Sequence, residues 1–293
     1  MEDILNSLTK QYLLNEQEFL KYYENAISLL MHNTNPTEEK ILIIVGGQSG
    51  AGKSRLIPLA KKELKNNAIV IDYDELRKLH PNYKEVNKKH FELAHRILHS
   101  DTEKVKDKII ETLIKENYNV IYEGALRNTE GFLKLSRDFK QNDYEIKIDI
   151  LAVPELESLG SNYLRCAMQL LADEEARWVE TKAHTESYEG VIRTIEAFQK
   201  ENLCDDIRVF IRGKSTPKKI YSKNSNNFNT PIEAIIYGRE NNRKKAVKDF
   251  IIKYKIVKMI FENKKPELLS KLTEWETLYN EEKEHFKRKI KKR

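Results

Sequence analysis

The sequence predicts an α/β fold: a parallel sheet of the P-loop NTPase type flanked by helices, with a helical lid insert and extra helices at both ends. Three observations predict it. Residues 41–45 (ILIIV) are an apolar, mostly β-branched run leading straight into Gly47-x-x-x-x-Gly52-Lys53-Ser54, and a strand entering such a loop is the arrangement that cradles nucleotide phosphates. Strand-like runs then alternate with helical patterns, which argues a parallel sheet covered on both faces. A long helical pattern after residue 155 sits where a lid over the nucleotide belongs.

Residues 1–36 carry helical periodicity (Ile4, Leu5, Leu8, then Tyr12 through Met31) and read as two short helices, with HNTNPTEEK as the linker to the first strand. Strands are expected at 41–45, 68–74, 118–124, 146–153 and 206–213, and helices at 54–65, 86–116, 129–141 and 155–202. After Tyr221 the chain passes through the polar SKNSNNFNT into a helical pattern over 231–293. This divides the chain into a P-loop domain over 1–225, N-terminal helices included, and a C-terminal helical extension over 226–293. The terminal KRKIKKR reads as a solvated helix end, since cations suit a helix C-terminus; contact with nucleic acid or anionic lipid is the alternative.

The loop's chemistry follows from its residues. Gly47, Gly50 and Gly52 allow tight turns, so the N–H groups of Gly47, Gln48, Ser49, Gly50, Ala51, Gly52, Lys53 and Ser54 are candidates to line one anion-binding concavity. The helix expected to begin near Lys53 adds its positive end. Lys53 reaches the β- and γ-phosphates, and Ser54 offers a hydroxyl to Mg²⁺.

Composition narrows the class. With 40% hydrophobic residues the chain can build a core, and 52 Lys+Arg against 46 Asp+Glu give a net charge of +6. That mild surplus suits a nucleotide without demanding nucleic acid. Two cysteines, Cys166 and Cys204, are too few for a disulfide framework or a zinc site. The acidic N-terminus lacks a signal-peptide pattern and no apolar run approaches a membrane span, so a reduced, cytoplasmic setting is expected.

The DxxG and NKxD patterns of signalling GTPases do not occur, and GGQSG at 46–50 belongs to the phosphate loop rather than to a transporter signature. A kinase-like phosphotransferase fits better. Asp72 and Asp74 end the second strand candidate, where ligands of doubly wound sheets bind, and a carboxylate there can take the proton of an attacking hydroxyl. As alternate strand residues both face one side, so pattern alone does not choose between them; a helix N-cap is the competing role, above all for Asp74 before ELRKL. Glu123 ends the third strand candidate, and Arg127 is a candidate phosphate ligand or a surface ion pair. Arg165 and Arg177 lie in the lid, where arginines stabilise transferring phosphate. His184 reads as structural.

These blocks resemble, in order, the zeta toxin family of bacterial toxin–antitoxin systems: GGQSGAGKS at 46–54, VIDYDELRKLHPNY at 70–83, NVIYEGALR at 119–127, AVPELESLGSNYLR at 152–165, ADEEARWVETKAH at 172–184 and DIRVFIR at 206–212. The helical lead also resembles that family's. The resemblance implies a kinase that uses ATP and Mg²⁺ to phosphorylate the 3′-hydroxyl of the amino sugar of UDP-N-acetylglucosamine, blocking cell-wall precursor synthesis. It implies Asp74 as general base, Lys53 and Ser54 serving ATP and Mg²⁺, Glu123 and Arg127 contacting the sugar nucleotide, and Arg165 and Arg177 clamping the ATP phosphates. It also implies a small helical antitoxin partner. Two positions depart: Ala125 stands where the family often has Thr, and Asp107 where it uses a Glu to hold the sugar. The alternatives are a kinase for another nucleotide sugar, a nucleoside or a polynucleotide end, and a non-catalytic ATP-binding interaction protein.

Overall fold

The protein was analysed as a computed structural model describing residues 2–224, 227–241, 243–273 and 275–280. Its sheet has six strands: β1 (Ile41–Gly46), β2 (Ile69–Asp72), β3 (Val120–Gly124), β4 (Glu145–Leu151), β5 (Asp206–Ile211) and β6 (Lys218–Tyr221). The order is β2-β3-β1-β4-β5-β6. All neighbours run parallel except β5 and β6. The chain leaves the central β1 to build one side and returns to build the other, so the crevice beyond the strand C-termini opens there.

Twelve α-helices accompany the sheet among the described residues: α1 (Glu2–Tyr12), α2 (Glu16–Met31), α3 (Ile57–Glu63), α4 (Tyr73–Lys78), α5 (Tyr83–Lys89), α6 (Ala94–Ile97), α7 (His99–Lys115), α8 (Thr129–Lys140), α9 (Glu155–Leu171), α10 (Thr181–Glu201), α11 (Pro231–Glu240) and α12 (Arg243–Lys264). The ILIIV run is continuously apolar because β1 is buried on both faces. Leu42 and Ile44 pack into a layer with α2, α7, α8 and α10, and Ile43 and Val45 into one with α3. Each such side chain contributes about 1.5–3 kcal/mol by burial. A third apolar cluster joins α9 to α12 through Leu159, Tyr163, Cys166, Phe250, Tyr254 and Val257. Cys166 and Cys204 are both free.

Several expected boundaries shift. The strand expected over 68–74 stops at Asp72, whose side chain caps α4 by accepting from the Asp74 N–H at 2.8 Å. Asp74 therefore sits in the first turn of a helix, and the two carboxylates do not share a strand face. The pattern over 155–202 divides into α9 and α10 around a link at 172–180, with Asp173 in the left-handed region (φ 54°). The pattern over 86–116 becomes α5, α6 and α7, which lets Ala94 and Ile97 turn onto Leu5 and Tyr12 of α1. The helix after the loop begins as a 3₁₀ turn over Lys53–Arg55, and α3 follows with Pro58 in its first turn, where its missing N–H costs nothing. Strand β6 was not expected. It is four residues long with exposed lysines, the pattern of a protected sheet edge. The terminal KRKIKKR lies outside the described residues.

Candidate active site

The loop after β1 turns through Gly50 (φ 76°) and Gly52 (φ 88°), conformations that strain any residue with a Cβ. Ser49, Gly50, Gly52, Lys53 and Ser54 line a cleft of about 1760 Å³ above the strand ends. Gly47, Gln48 and Ala51 are buried behind it. Gln48 donates to the Val153 carbonyl at 2.9 Å and to Ser158 Oγ at 3.3 Å, tying the loop to the start of α9. Lys53 is 9% exposed and lies 3.9 Å from Glu123 at the end of β3. Burial pushes the Lys53 ammonium down, and Glu123 opposes it; burial pushes Glu123 up, and Lys53 opposes it.

The same cleft brings Asp72, Asp74, Glu123, Arg127, Arg165 and Arg177 together. Asp74 is held on both carboxylate oxygens: Oδ1 pairs with Arg77 of α4 and Oδ2 with Arg177 of the link. Arg165 reaches in from α9 and donates to Asn162 Oδ1 at 3.3 Å. Arg127 is less engaged; it is half exposed and pairs with Glu186 of α10 at 3.6 Å. It follows Leu126, a fully buried residue in the left-handed region (φ 51°) whose carbonyl accepts from Thr194 at 2.9 Å. That strained turn aims Ala125 and Arg127 at the cleft rim.

On α7, Asp107 also lines the cleft but is the more open carboxylate, 58% exposed and 3.1 Å from Lys106. Glu103, one turn earlier, is the carboxylate beside Tyr73 and holds Lys106 at 2.6 Å. Sequence reasoning missed Glu103; its i, i+4 spacing from Asp107 was the available signal. It also missed Arg212, just past β5. Arg212 donates to the Ala51 carbonyl at 2.8 Å and the Gly50 carbonyl at 3.1 Å, and pairs with Glu157 at 2.5 Å. His184 is buried and within 2.9 Å of Ser158 Oγ; burial lowers it to about 4.

Among the described residues no cluster of three or more His, Cys, Asp or Glu side chains could hold a metal ion. The oxygen donors beside the loop, Ser54 and Asp72, instead suit a hard cation that arrives carrying its own phosphate oxygens.

The family model described as zeta toxin matches residues 27–226. The chain belongs to the zeta toxin family. The toxin zeta of Streptococcus agalactiae is 27% identical over 80% of each chain. That of Enterococcus hirae is 28% identical over 79% of this chain and 81% of its own. A solved structure from the PezAT chromosomal toxin–antitoxin system of Streptococcus pneumoniae superposes with a TM-score of 0.74 at 19% identity, covering 86% of this chain and 100% of the other. The zeta toxin fold accounts for the sheet and the helices over the cleft. No helix among the described residues is long and apolar enough to cross a membrane.

Proposed function

We propose that this zeta toxin family member is an ATP-dependent kinase whose acceptor is the 3′-hydroxyl of the amino sugar of UDP-N-acetylglucosamine. The observation that carries the reading is one cleft lined both by a phosphate loop and by a carboxylate held by two arginines. Its volume of about 1760 Å³ exceeds the roughly 300–1,000 Å³ of a single-ligand pocket and leaves room for two substrates.

In this reading Lys53 and the loop amides other than those of Ser49 and Ala51, which are bonded to Ser187 and Gln48, bind the β- and γ-phosphates of ATP. Ser54 and Asp72 fit a Mg²⁺ carried by those phosphates, which would neutralise their charge. Asp74 accepts the proton of the acceptor hydroxyl, the freed oxygen bonds to the γ-phosphorus, and the bond from that phosphorus to ADP breaks. Arg165 and Arg177 hold the equatorial oxygens while charge spreads over them. Glu123, Glu103, Asp107 and Arg127 line the acceptor side. Residues 1–225 form the catalytic domain, and the extension from 226 braces α9 through α12. A small helical antitoxin is the expected protein partner, by likeness to the relatives' toxin–antitoxin systems, and the cytoplasm the expected setting.

Incubation with ATP, Mg²⁺ and UDP-N-acetylglucosamine should add one phosphate to the sugar nucleotide, read by mass spectrometry. No product from the wild-type protein rejects this acceptor. Two features favour a second reading, a kinase for a different acceptor: Ala125 lacks a hydroxyl, and Asp107, at the cleft wall, has a shorter side chain that is more than half exposed. A panel of nucleotide sugars, nucleosides and polynucleotide ends with labelled ATP separates the two.

A further inference from the structure

We infer that Asn162 is a positioning residue that registers the Arg165 guanidinium against the phosphate loop. The inference rests on the kinase reading, which puts Arg165 on the donor's phosphates. Ser158, Asn162 and Arg165 are spaced four and three residues apart on α9, so they share one helix face. Leu159, Tyr163 and Cys166 occupy the face packed on α12.

Asn162 is 2% exposed, and its Oδ1 accepts twice: from Ser49 Oγ at 3.0 Å and from Arg165 Nη2 at 3.3 Å. A guanidinium only donates, so the amide atom facing Arg165 is the oxygen. Ser49 is thereby fixed from two sides, because its N–H donates to Ser187 Oγ of α10 at 3.2 Å. The fit leaves little slack. A Cβ placed on Gly50 would lie 3.0 Å from Asn162 Cγ. One oxygen atom thus couples a loop residue to the arginine above it, and displacement of either moves the other.

The same side chain carries a cost. Asn162 Nδ2 is buried and makes no hydrogen bond to the protein, and an unpaired buried donor destabilises the fold. An apolar side chain of similar size would avoid that penalty. A residue kept for packing alone would gain from the exchange, whereas a residue that aligns Arg165 would lose function by it.

The test is a double-mutant cycle of N162L and R165M, with N162A as a second variant at the first position. The readouts are the Kd for MgATP, kcat for phosphotransfer, and Tm. N162L and N162A should each cost about tenfold in kcat or MgATP affinity with Arg165 present, the low end of the cost of losing a hydrogen bond to a charged group. They should cost less than twofold when R165M is already in place. Thermal stability of N162L should stay near wild type, because relief of the unpaired Nδ2 offsets the loss of the acceptor for Ser49 and Arg165. Equal losses in both backgrounds overturn the inference, because Asn162 then acts independently of Arg165. A loss with R165M and none with N162L or N162A overturns the inference alone. No effect of R165M on either quantity overturns the phosphate-clamp role of Arg165 and the inference with it.

Discussion

Arg177, carried on the link between α9 and α10, forms an ion pair with Asp74 in the first turn of α4. In the proposed reaction the two play different parts. Asp74 takes a proton, and Arg177 holds a phosphate. Their pairing means that the donor's phosphates compete with Asp74 for the guanidinium, and that the base gains a free oxygen when the donor wins. Arg77, buried on the same helix, keeps the other oxygen fixed throughout.

It follows that Asp74→Asn should abolish transfer yet tighten ATP binding. Both partners are about one-third exposed, so the pair belongs with weak, screened ion pairs of roughly 0.2–1 kcal/mol. The gain in affinity should be about 1.5- to 5-fold, read by calorimetry with MgATP. Weaker binding by the variant would show that Asp74 supports the donor site instead of competing with it.

On the acceptor side, Glu103→Gln should raise the acceptor KM more than Asp107→Asn. Glu103 lies next to Tyr73, the residue before Asp74, and fixes Lys106 at 2.6 Å; Asp107 lines the cleft too but is more exposed, 58% against 37%, and holds Lys106 less closely, at 3.1 Å. Losing a hydrogen bond from a charged group costs about 1.5–3 kcal/mol, so Glu103→Gln should raise KM tenfold or more while the KM for ATP stays put. The reverse ranking in steady-state kinetics would assign acceptor recognition to Asp107.

Arg212 gives a third expectation. Its planar fork reaches two loop carbonyls and Glu157 at once. A lysine supplies the charge but lacks the fork. Arg212→Lys should therefore weaken MgATP binding about tenfold, the cost of one or two charge-assisted hydrogen bonds, with little change in acceptor KM. Wild-type ATP affinity in the variant would reduce Arg212 to a bystander.

These residues also show how far the sequence reached. Strand β1 and the loop were legible because strand and turn signals are local: five apolar residues, then glycines where the backbone needs positive φ. The five parallel strands were legible for the same reason. Asp74 was found but misplaced, because the outcome turned on whether the Asp72 side chain would cap a helix, a contest that a strand pattern does not record. Glu103 and Asp107 share one face of α7 and both line the cleft, so periodicity could not say which is better held; the Tyr73 neighbour of Glu103 decides. Asn162 and Arg212 were invisible because the loop residues they hold, Ser49 and Ala51, lie 113 and 161 residues away in the chain.

The last expectation concerns acid stability and isolates one group. His184 is 1% exposed against Ser158, and burial, aided by the charge of Arg239, lowers it to about 4. An unfolded histidine titrates near 6.5. Between those values the unfolded chain binds a proton that the folded chain refuses, so stability falls as pH falls from about 6.5 toward 4. At pH 5 the loss from this group alone is roughly 2 kcal/mol, and at most roughly 3 kcal/mol lower down. His184→Asn keeps a donor for Ser158 and removes the titration. Urea unfolding at pH 7.5 and pH 5 should show a smaller drop for the variant than for wild type, by about 2 kcal/mol. Contributions from other groups, including the opposite one expected from the raised Glu123, cancel in that difference. Equal drops would mean that His184 is as free to take a proton in the fold as out of it, and that the network behind the phosphate loop tolerates its charge.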